Sequence, residues 1–568
     1  MIKKNILPIV CFILSAILLT VIQPPYCVSF LAWIALVPFV LGVLTNNKIR
    51  PILLWSYIIS LIYWLLNVYW LMQVTMPGWL TLCIYMAFYW PVLVLCLRFC
   101  CERKMPLWFS LPILIIGTEA LQGVFFKGFG YLMLGHSQFR NIAIIQIADI
   151  FGAAGVSFLV AMVNGLITQL IIDFSLAPAP VAGERPPRMA AVNLFRIVLT
   201  VCTICAVLFY GRYRINQTPA FTQAGPIIGV VQSNVAVEAS KECEPVETTF
   251  LNMLVDSRKC FLTAHPQLII WPETMVDAVL DESYLKLIPQ DDTTMIFHNA
   301  LVRHANEGVY VLVGTFSGQA VVGDDNVIKL KTSYNSAFLY EPNDIGSRQH
   351  YNKIQLVPFG EFLPFRDWLP FLQKLLMILT PYTYDYTLDA GTDYTIFKIP
   401  VQNKIYRFAC SICFEDTQPR IIRRFVLDKN QNKQTDWLVN ISNDGWFVKK
   451  SGDNIIAGGE LSQHMAACVF RAVENRLSVI RCANTGISCL IDSTGKIKNG
   501  FIDGTLEKKA IQRACQRGWF ADAVVIDKRI TFFTKQGQIL EIGCVICLIL
   551  AVVMSIYKLK GRQKVNYD

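Results

Sequence analysis

Residues 268–273 read Leu-Ile-Ile-Trp-Pro-Glu, a short apolar run cut off by proline with a carboxylate directly behind it. A run of this length bounded by a breaker reads as a buried strand, which puts Glu273 at a strand end. The pattern continues outward on both sides. Residues 226–232 read as a strand and 246–264 as a helix; downstream come a helix at 293–306 and strands at 309–316 and 334–340. Further strands fall at 408–414, 437–441, 477–482 and 488–492, with a helix at 458–476. Strands alternating with helices predict an α/β layered fold, its sheets covered by helices.

The rest of the chain is of another kind. Of 568 residues 54% are hydrophobic and only 16% charged, and the mean hydropathy is positive. These values describe a polytopic membrane protein. Runs long enough to cross a bilayer crowd residues 5–211 and recur once at 538–557, giving about eight spans: 5–23, 28–45, 51–72, 79–98, 105–124, 142–173, 194–211 and 538–557. In the sixth, Gly152, Gly155 and Gly165 leave room for a kink. The expected domains are a transmembrane part at 1–211, an extracytoplasmic α/β domain at 212–537, and a last span with a basic tail at 538–568. Basic residues near span ends, among them Lys3, Lys48, Arg103, Arg188 and Lys558, fall on one side of this arrangement; the opposite short loops carry only Lys127 and Arg140. By the positive-inside rule both termini are cytoplasmic, and 212–537 lies across the membrane, in the periplasm of a two-membrane cell. A cleaved signal peptide over residues 1–25 is the competing reading, but no clean small-x-small site follows it.

Of 18 cysteines ten lie in or beside spans, where a thiol behaves as a small apolar filler. Cys410-x-x-Cys413 has redox-motif spacing, yet it lies in a strand-like run without a helix start to lower a thiol pKa. Six histidines and no clustered His/Cys spacing predict no metal, and no glycine-rich phosphate loop predicts a bound cofactor. The charge of +10 follows from topology and scattered lysines, not from a basic stripe for nucleic acid.

Three reactive groups stand at or near the edges of strand-like runs: Glu273, Lys353 and Cys413. A thiol, a carboxylate and an amine are the parts of a covalent acyl-transfer site. The thiol needs a base or a cation to become a nucleophile, and an ammonium near a developing alkoxide stabilises charge present only in the transition state.

The motifs around these groups resemble a known family. Trp-Pro-Glu at 271–273, Asn-Lys at 352–353 before Leu-Val-Pro-Phe-Gly-Glu-Phe-Leu-Pro-Phe, and Cys-Phe-Glu at 413–415 are similar to the Glu-Lys-Cys set of the nitrilase, or carbon–nitrogen hydrolase, superfamily. Asn-Ile-Ser-Asn-Asp-Gly-Trp-Phe at 440–447, Arg-Ala-x-Glu-Asn-Arg at 471–476, Ala-Asn-Thr-Gly-Ile-Ser at 483–488 and Gly-His-Ser-Gln at 135–138 extend the likeness over nearly the full chain, to the membrane branch formed by the apolipoprotein N-acyltransferases. The resemblance implies a nitrilase-like αββα sandwich. It also implies a two-step reaction in which Cys413, deprotonated by Glu273 and aided by Lys353, takes an acyl chain from a membrane phospholipid and passes it to the α-amine of a diacylated apolipoprotein. Both steps would run at the inner membrane. Glu361 and Glu415 resemble accessory carboxylates, with surface pairing to an arginine as the alternative; Phe414, Asn443, Trp446 and Trp368 are the expected substrate-binding positions. Phe414 departs from the tyrosine common after the nucleophile, and Gln355 from a basic residue common after the lysine. Arg471 and Glu474, three apart on a helix, suggest a structural ion pair.

Residues 362–380 carry Trp368, Phe371, Leu375 and Leu379 at helical spacing, too short to span. This segment reads as a lid at the lipid surface or as a core helix. Two other functions remain open on sequence: a membrane-anchored amidase or nitrilase in which water resolves the thioester, and a transporter or receptor, for which Glu119 and Asp149 are the only acids well inside the spans.

Overall fold

The computed structural model describes all residues except 1, 46–47, 176–186, 238–243, 324–326, 344–347, 363–385, 453 and 566–568. The chain forms two units, one of residues 1–69, 79–216 and 536–568, the other of 70–78 and 217–535.

In the first unit, helices Ile49–Asn67, Met76–Glu102, Ala148–Ser175, Ala190–Asn216 and Ile539–Tyr557 are long and apolar enough to cross a membrane, and Ile6–Val21, Ser29–Leu44 and Leu107–Gln122 are shorter apolar segments. They coincide with the eight hydropathic runs, because a continuous apolar stretch in lipid has only helix to satisfy its backbone. Two runs are not the single helices expected. The 28–45 run breaks into a 3-10 turn, Ser29–Trp33, and a helix, Val37–Leu44, that starts on Pro38; a proline has no N–H to lose there. The 142–173 run is interrupted at Gly152, whose φ of +67° only glycine adopts freely. The two intramembrane acids have protein partners. Glu119 accepts from the Leu134 N–H at 2.6 Å, and Asp149 binds the Tyr210 hydroxyl at 2.7 Å and Arg214 at 2.8 Å. They tie polypeptide together, which is not what a transport pathway requires.

The second unit is built on two sheets. Its principal strands are β1 (Thr222–Gln232), β2 (Leu268–Ile270), β3 (Tyr310–Ser317), β4 (Tyr334–Tyr340), β5 (His350–Asn352), β6 (Ile396–Val401), β7 (Lys404–Ile412), β8 (Trp437–Ser442), β9 (Ser478–Ala483), β10 (Cys489–Ile491), β11 (Asp503–Gly504) and β12 (Gly518–Asp527). The first sheet runs β11-β12-β1-β2-β3-β4-β5 and the second β10-β9-β8-β7-β6. Each has a parallel centre, β1-β2-β3 and β7-β8-β9, flanked by antiparallel strands. Buried on both faces, the central strands are continuous apolar runs, which is why sequence reads them easily. The sheets meet face to face: the Cys482 thiol on β9 donates to the carbonyls of Val231 and Ile270 on β1 and β2, at 3.4 and 3.3 Å.

Helices α1 (Val246–Ala264) and α2 (Thr293–Ala305) cover the first sheet and α3 (Glu460–Asn475) the second, completing the αββα layering. Phe250 of α1 stacks on Phe297 of α2 with centroids 4.1 Å apart, and Trp271 lies edge-on to Phe250 in the same core. Asp292 caps α2 by accepting from the Thr294 N–H at 2.8 Å, and His265 ends α1 in the left-handed conformation. The ten-residue β12 was not legible, because Asp522 interrupts its apolar run; the carboxylate sits 2.7 Å from Lys498. Residues Trp70–Gly78, which hydropathy places with the membrane part, go with this unit, and Trp70 packs edge-on against Phe447 at 4.9 Å.

Gly314 on β3 sits hard against the strand end that matters most. A Cβ there would lie 2.4 Å from the Pro272 carbonyl and 2.5 Å from the Glu273 Cα, both backbone atoms with no room to yield. Gly314→Ala is expected to cost about 1–3 kcal/mol of stability, seen as a lower melting temperature of the detergent-solubilised protein. Gly543→Ala, with nothing within 4 Å, is expected to leave it unchanged.

Candidate active site

The parallel centres of both sheets present their C-terminal ends, and the reactive residues stand there. Glu273 follows β2, Cys413 follows β7, Asn443 follows β8 and Asn484 follows β9, while Lys353 directly follows β5. This is where α/β sheets leave side chains free of the ladder.

Lys353 is 1% exposed and sits between two carboxylates, its Nζ donating to Glu273 Oε1 at 3.0 Å and to Glu361 Oε1 at 2.8 Å. Asn335 Nδ2 donates to the same two oxygens, each at 2.8 Å. The remaining oxygen of each carboxylate is held by backbone, Glu273 Oε2 by the Asn443 N–H and Glu361 Oε2 by the Val357 N–H, both at 2.8 Å. Burial works against a charged lysine, but the two carboxylates overcome it and hold the Lys353 pKa well above the ordinary amine value.

Cys413 is close enough to both Glu273 and Lys353 to feel their charges. Its thiol pKa is pushed well up, first by burial and then by the Glu273 carboxylate, with Lys353 pulling the other way. A thiol held this way would need a base to act as a nucleophile. The strand expected to run through 414 stops at Ile412: Cys413 has φ +51° and opens a 3-10 turn, Cys413–Thr417, before the helix Pro419–Val426. A side chain at positive φ costs of order 1–3 kcal/mol and is kept only where surroundings impose it. Here the bend lifts the sulfur out of the sheet.

Among the described residues Glu415 has no arginine partner of the kind weighed from sequence. Fully buried, it accepts from the Tyr351 hydroxyl (2.7 Å) and from the N–H groups of Ile354 (2.7 Å), Gln355 (3.0 Å) and Ile412 (2.8 Å). Burial raises its pKa, and the N–H donors oppose that. It ties the Lys353 segment to the Cys413 strand. Asn443, besides its N–H to Glu273, donates through Nδ2 to Thr274 Oγ1 at 3.1 Å and accepts from Asn484 Nδ2 at 2.8 Å. Phe414 is buried and Trp446 half-buried in the turn Asp444–Phe447. Trp368 and the expected lid, but for its first residue, lie outside the described residues. Cys410 and Cys413 are both free thiols, and Arg471 and Glu474 form a buried ion pair at 2.6 Å.

Sequence reading missed Asn335, whose only signal is an amide opening an otherwise apolar buried strand. It also missed a charged cluster behind Cys413 made by Asp416, Asp444, Glu460, His464 and Arg481, all fully buried. Asp444, Glu460 and His464 bring potential metal-ligand atoms within 4.8 Å of one another. The Arg481 guanidinium already serves them as counter-cation, 2.6 Å from Asp444 Oδ2 and 3.0 Å from His464 Nδ1.

A layered αββα sandwich on a chain with membrane-length apolar helices defines a membrane protein with a nitrilase-like domain. Residues 15–166 match the model of the apolipoprotein N-acyltransferase N-terminal domain. The apolipoprotein N-acyltransferase of Geobacter metallireducens is 31% identical over 94% of this chain and 92% of its own, and that of Chlorobaculum tepidum 24% identical over 93% and 92%. The chain belongs to the apolipoprotein N-acyltransferase family. Among solved structures, Nit3 of Saccharomyces cerevisiae, a member of the nitrilase superfamily, superposes on 54% of this chain and 90% of its own with a TM-score of 0.32 and 13% identity.

Replacing Lys353 by Met leaves the buried Glu273 and the half-buried Glu361 without their cation, and is expected to cost about 3–5 kcal/mol, read as a fall in the denaturation midpoint in detergent. Alkylation of Cys413 by iodoacetamide is expected to titrate above the ordinary thiol value of ~8.5. Its midpoint should move down in Glu273→Gln, which removes the opposing negative charge, and up in Lys353→Met, which removes the helpful positive one.

Proposed function

We propose that the chain moves an acyl group from a membrane phospholipid, through a thioester on Cys413, to the free α-amine of the diacylglyceryl-cysteine that begins an apolipoprotein. The observation that carries this reading is a buried ammonium locked between two carboxylates beside a neutral thiol, on a chain of eight apolar segments. A hydrolase of soluble amides gains little from such segments.

In the first step Glu273 takes the Cys413 proton and the sulfur attacks the ester carbonyl carbon. Lys353 stands near the developing oxyanion, where a fixed donor is worth about 2.7–4 kcal/mol. Collapse of the tetrahedral intermediate breaks the acyl–oxygen bond as Glu273 returns the proton to the departing oxygen, so the lysophospholipid leaves as an alcohol and Glu273 is a base again. In the second step the α-amine attacks the thioester, Glu273 accepts a proton from it and passes that proton to the departing sulfur, and the C–S bond breaks to release Cys413 as a thiol as the amide forms. Glu361 and Asn335 keep Lys353 aimed; Phe414, Asn443, Trp446 and Trp368 are the positions proposed to meet the acyl donor and acceptor. The one-sided distribution of basic residues supports placing the protein in the cytoplasmic membrane with 217–535 on the periplasmic face.

The test is intact mass spectrometry of purified protein incubated with phospholipid in detergent. An acyl adduct is expected on the wild type, released by hydroxylamine, absent in Cys413→Ala, and transferred when a diacylated lipopeptide with a free N-terminus is added. Glu273→Gln should slow adduct formation by about 10²–10⁴-fold. An adduct that decays to free fatty acid without reaching the amine points to the amidase-type hydrolase instead; no adduct on active wild type removes both.

A further inference from the structure

The carbonyl of Cys413, not its sulfur, is the most tightly held atom of the nucleophile. Two side chains from different elements reach it. Asn440 on β8 donates through Nδ2 at 3.1 Å, and His464 on α3 places Nε2 at 3.2 Å. The donor sense of each is fixed by its other neighbours. Arg481 Nη1, which can only donate, lies 2.6 Å from Asn440 Oδ1, so the amide nitrogen must face Cys413. Nε2 of His464 has two acceptors before it, the Cys413 carbonyl and Asp416 Oδ1 at 2.7 Å, so it carries a hydrogen whatever the state of Nδ1. His464 thus bridges the first and fourth residues of the 3-10 turn Cys413–Thr417. On its other side Nδ1 meets Glu460 at 2.9 Å and Arg481 at 3.0 Å, while Asp416 Oδ2 takes the Cys468 thiol at 2.7 Å. Every member is fully buried, so the ring cannot turn without stranding a charge.

We propose that His464 and Asn440 are positioning residues of the nucleophile: by gripping the Cys413 carbonyl they lock the peptide plane that follows it and hold the sulfur in register with Lys353 and Glu273. The conformation at stake is one the chain would not keep unaided. At φ +51° Cys413 is in a region that side-chain-bearing residues leave when released, and a freed carbonyl would rotate the turn and carry the sulfur away from its partners. Neither residue needs to touch the acyl group to act. The planarity of the peptide transmits their hold.

The inference rests on Cys413 being the acylated residue, and three substitutions test it in the full-length, detergent-solubilised protein. Asn440→Asp keeps the acceptor for Arg481 but replaces the donor to Cys413 by an anion. His464→Gln keeps a donor near the Nε2 position, and His464→Leu keeps bulk without one. Single-turnover thioester formation is followed by intact mass on monodisperse protein, alongside the KM for phospholipid. Asn440→Asp and His464→Leu are expected to slow acylation by about 100-fold, the effect of a misplaced reacting atom, with the lipid KM within about twofold. His464→Gln should restore most of the rate. Wild-type acylation rates in Asn440→Asp, or in His464→Leu, overturn the proposal, as does a His464→Gln rate no better than that of His464→Leu; should His464→Leu fail to fold, Asn440→Asp decides alone. Failure of the nucleophile assignment looks different: the wild type would then acylate no residue, or Cys413→Ala would acylate still.

Discussion

One buried ammonium held between two carboxylates is the constraint on which the site depends. Lys353 stands 1% exposed, and its Nζ lies 3.0 Å from an oxygen of Glu273 and 2.8 Å from one of Glu361. The three groups come from different parts of the chain, and the Asn443 N–H that completes the shell of Glu273 comes from the second sheet. The sandwich must therefore close correctly before these groups can meet. A hydrophobic core supplies the closure; the ion triad penalises any other register.

In the proposed reaction the same depth makes a thiol with a raised pKa suited to the task. A thiolate waiting in the open beside lipid esters and water would be exposed to oxidation and futile turnover, whereas burial and the Glu273 charge keep Cys413 neutral until a substrate brings its own carbonyl. Lys353 opposes that penalty just enough to matter when negative charge appears. Ground-state restraint and transition-state relief thus come from one pair of residues.

Much of this was legible in the sequence, for physical reasons that also mark its limits. The helix at Val246–Ala264 and the strand at Tyr334–Tyr340 fall on the residues expected, because each is bounded by breakers and buried on a clear face. Glu273, Lys353 and Cys413 were legible because reactive groups stand out against apolar strands. Asn335, His464, Asp416 and Arg481 were not: their partners lie mostly tens of positions away, and no local spacing reports a contact made across a sheet. The same holds for β12, whose Asp522 reads as a break until Lys498 is seen beside it, and for the bend at Cys413, which a strand-like composition conceals.

Glu415 carries a consequence of its own. With three backbone N–H groups and a tyrosine hydroxyl on one carboxylate, it rivets the segment bearing the ammonium to the strand bearing the sulfur. Those two groups must travel as one rigid jaw, and their spacing cannot adapt to longer or bulkier lipids. In the proposed reaction, discrimination among acyl chains then falls to parts of the chain away from these two groups, leaving the chemistry the same for every guest admitted.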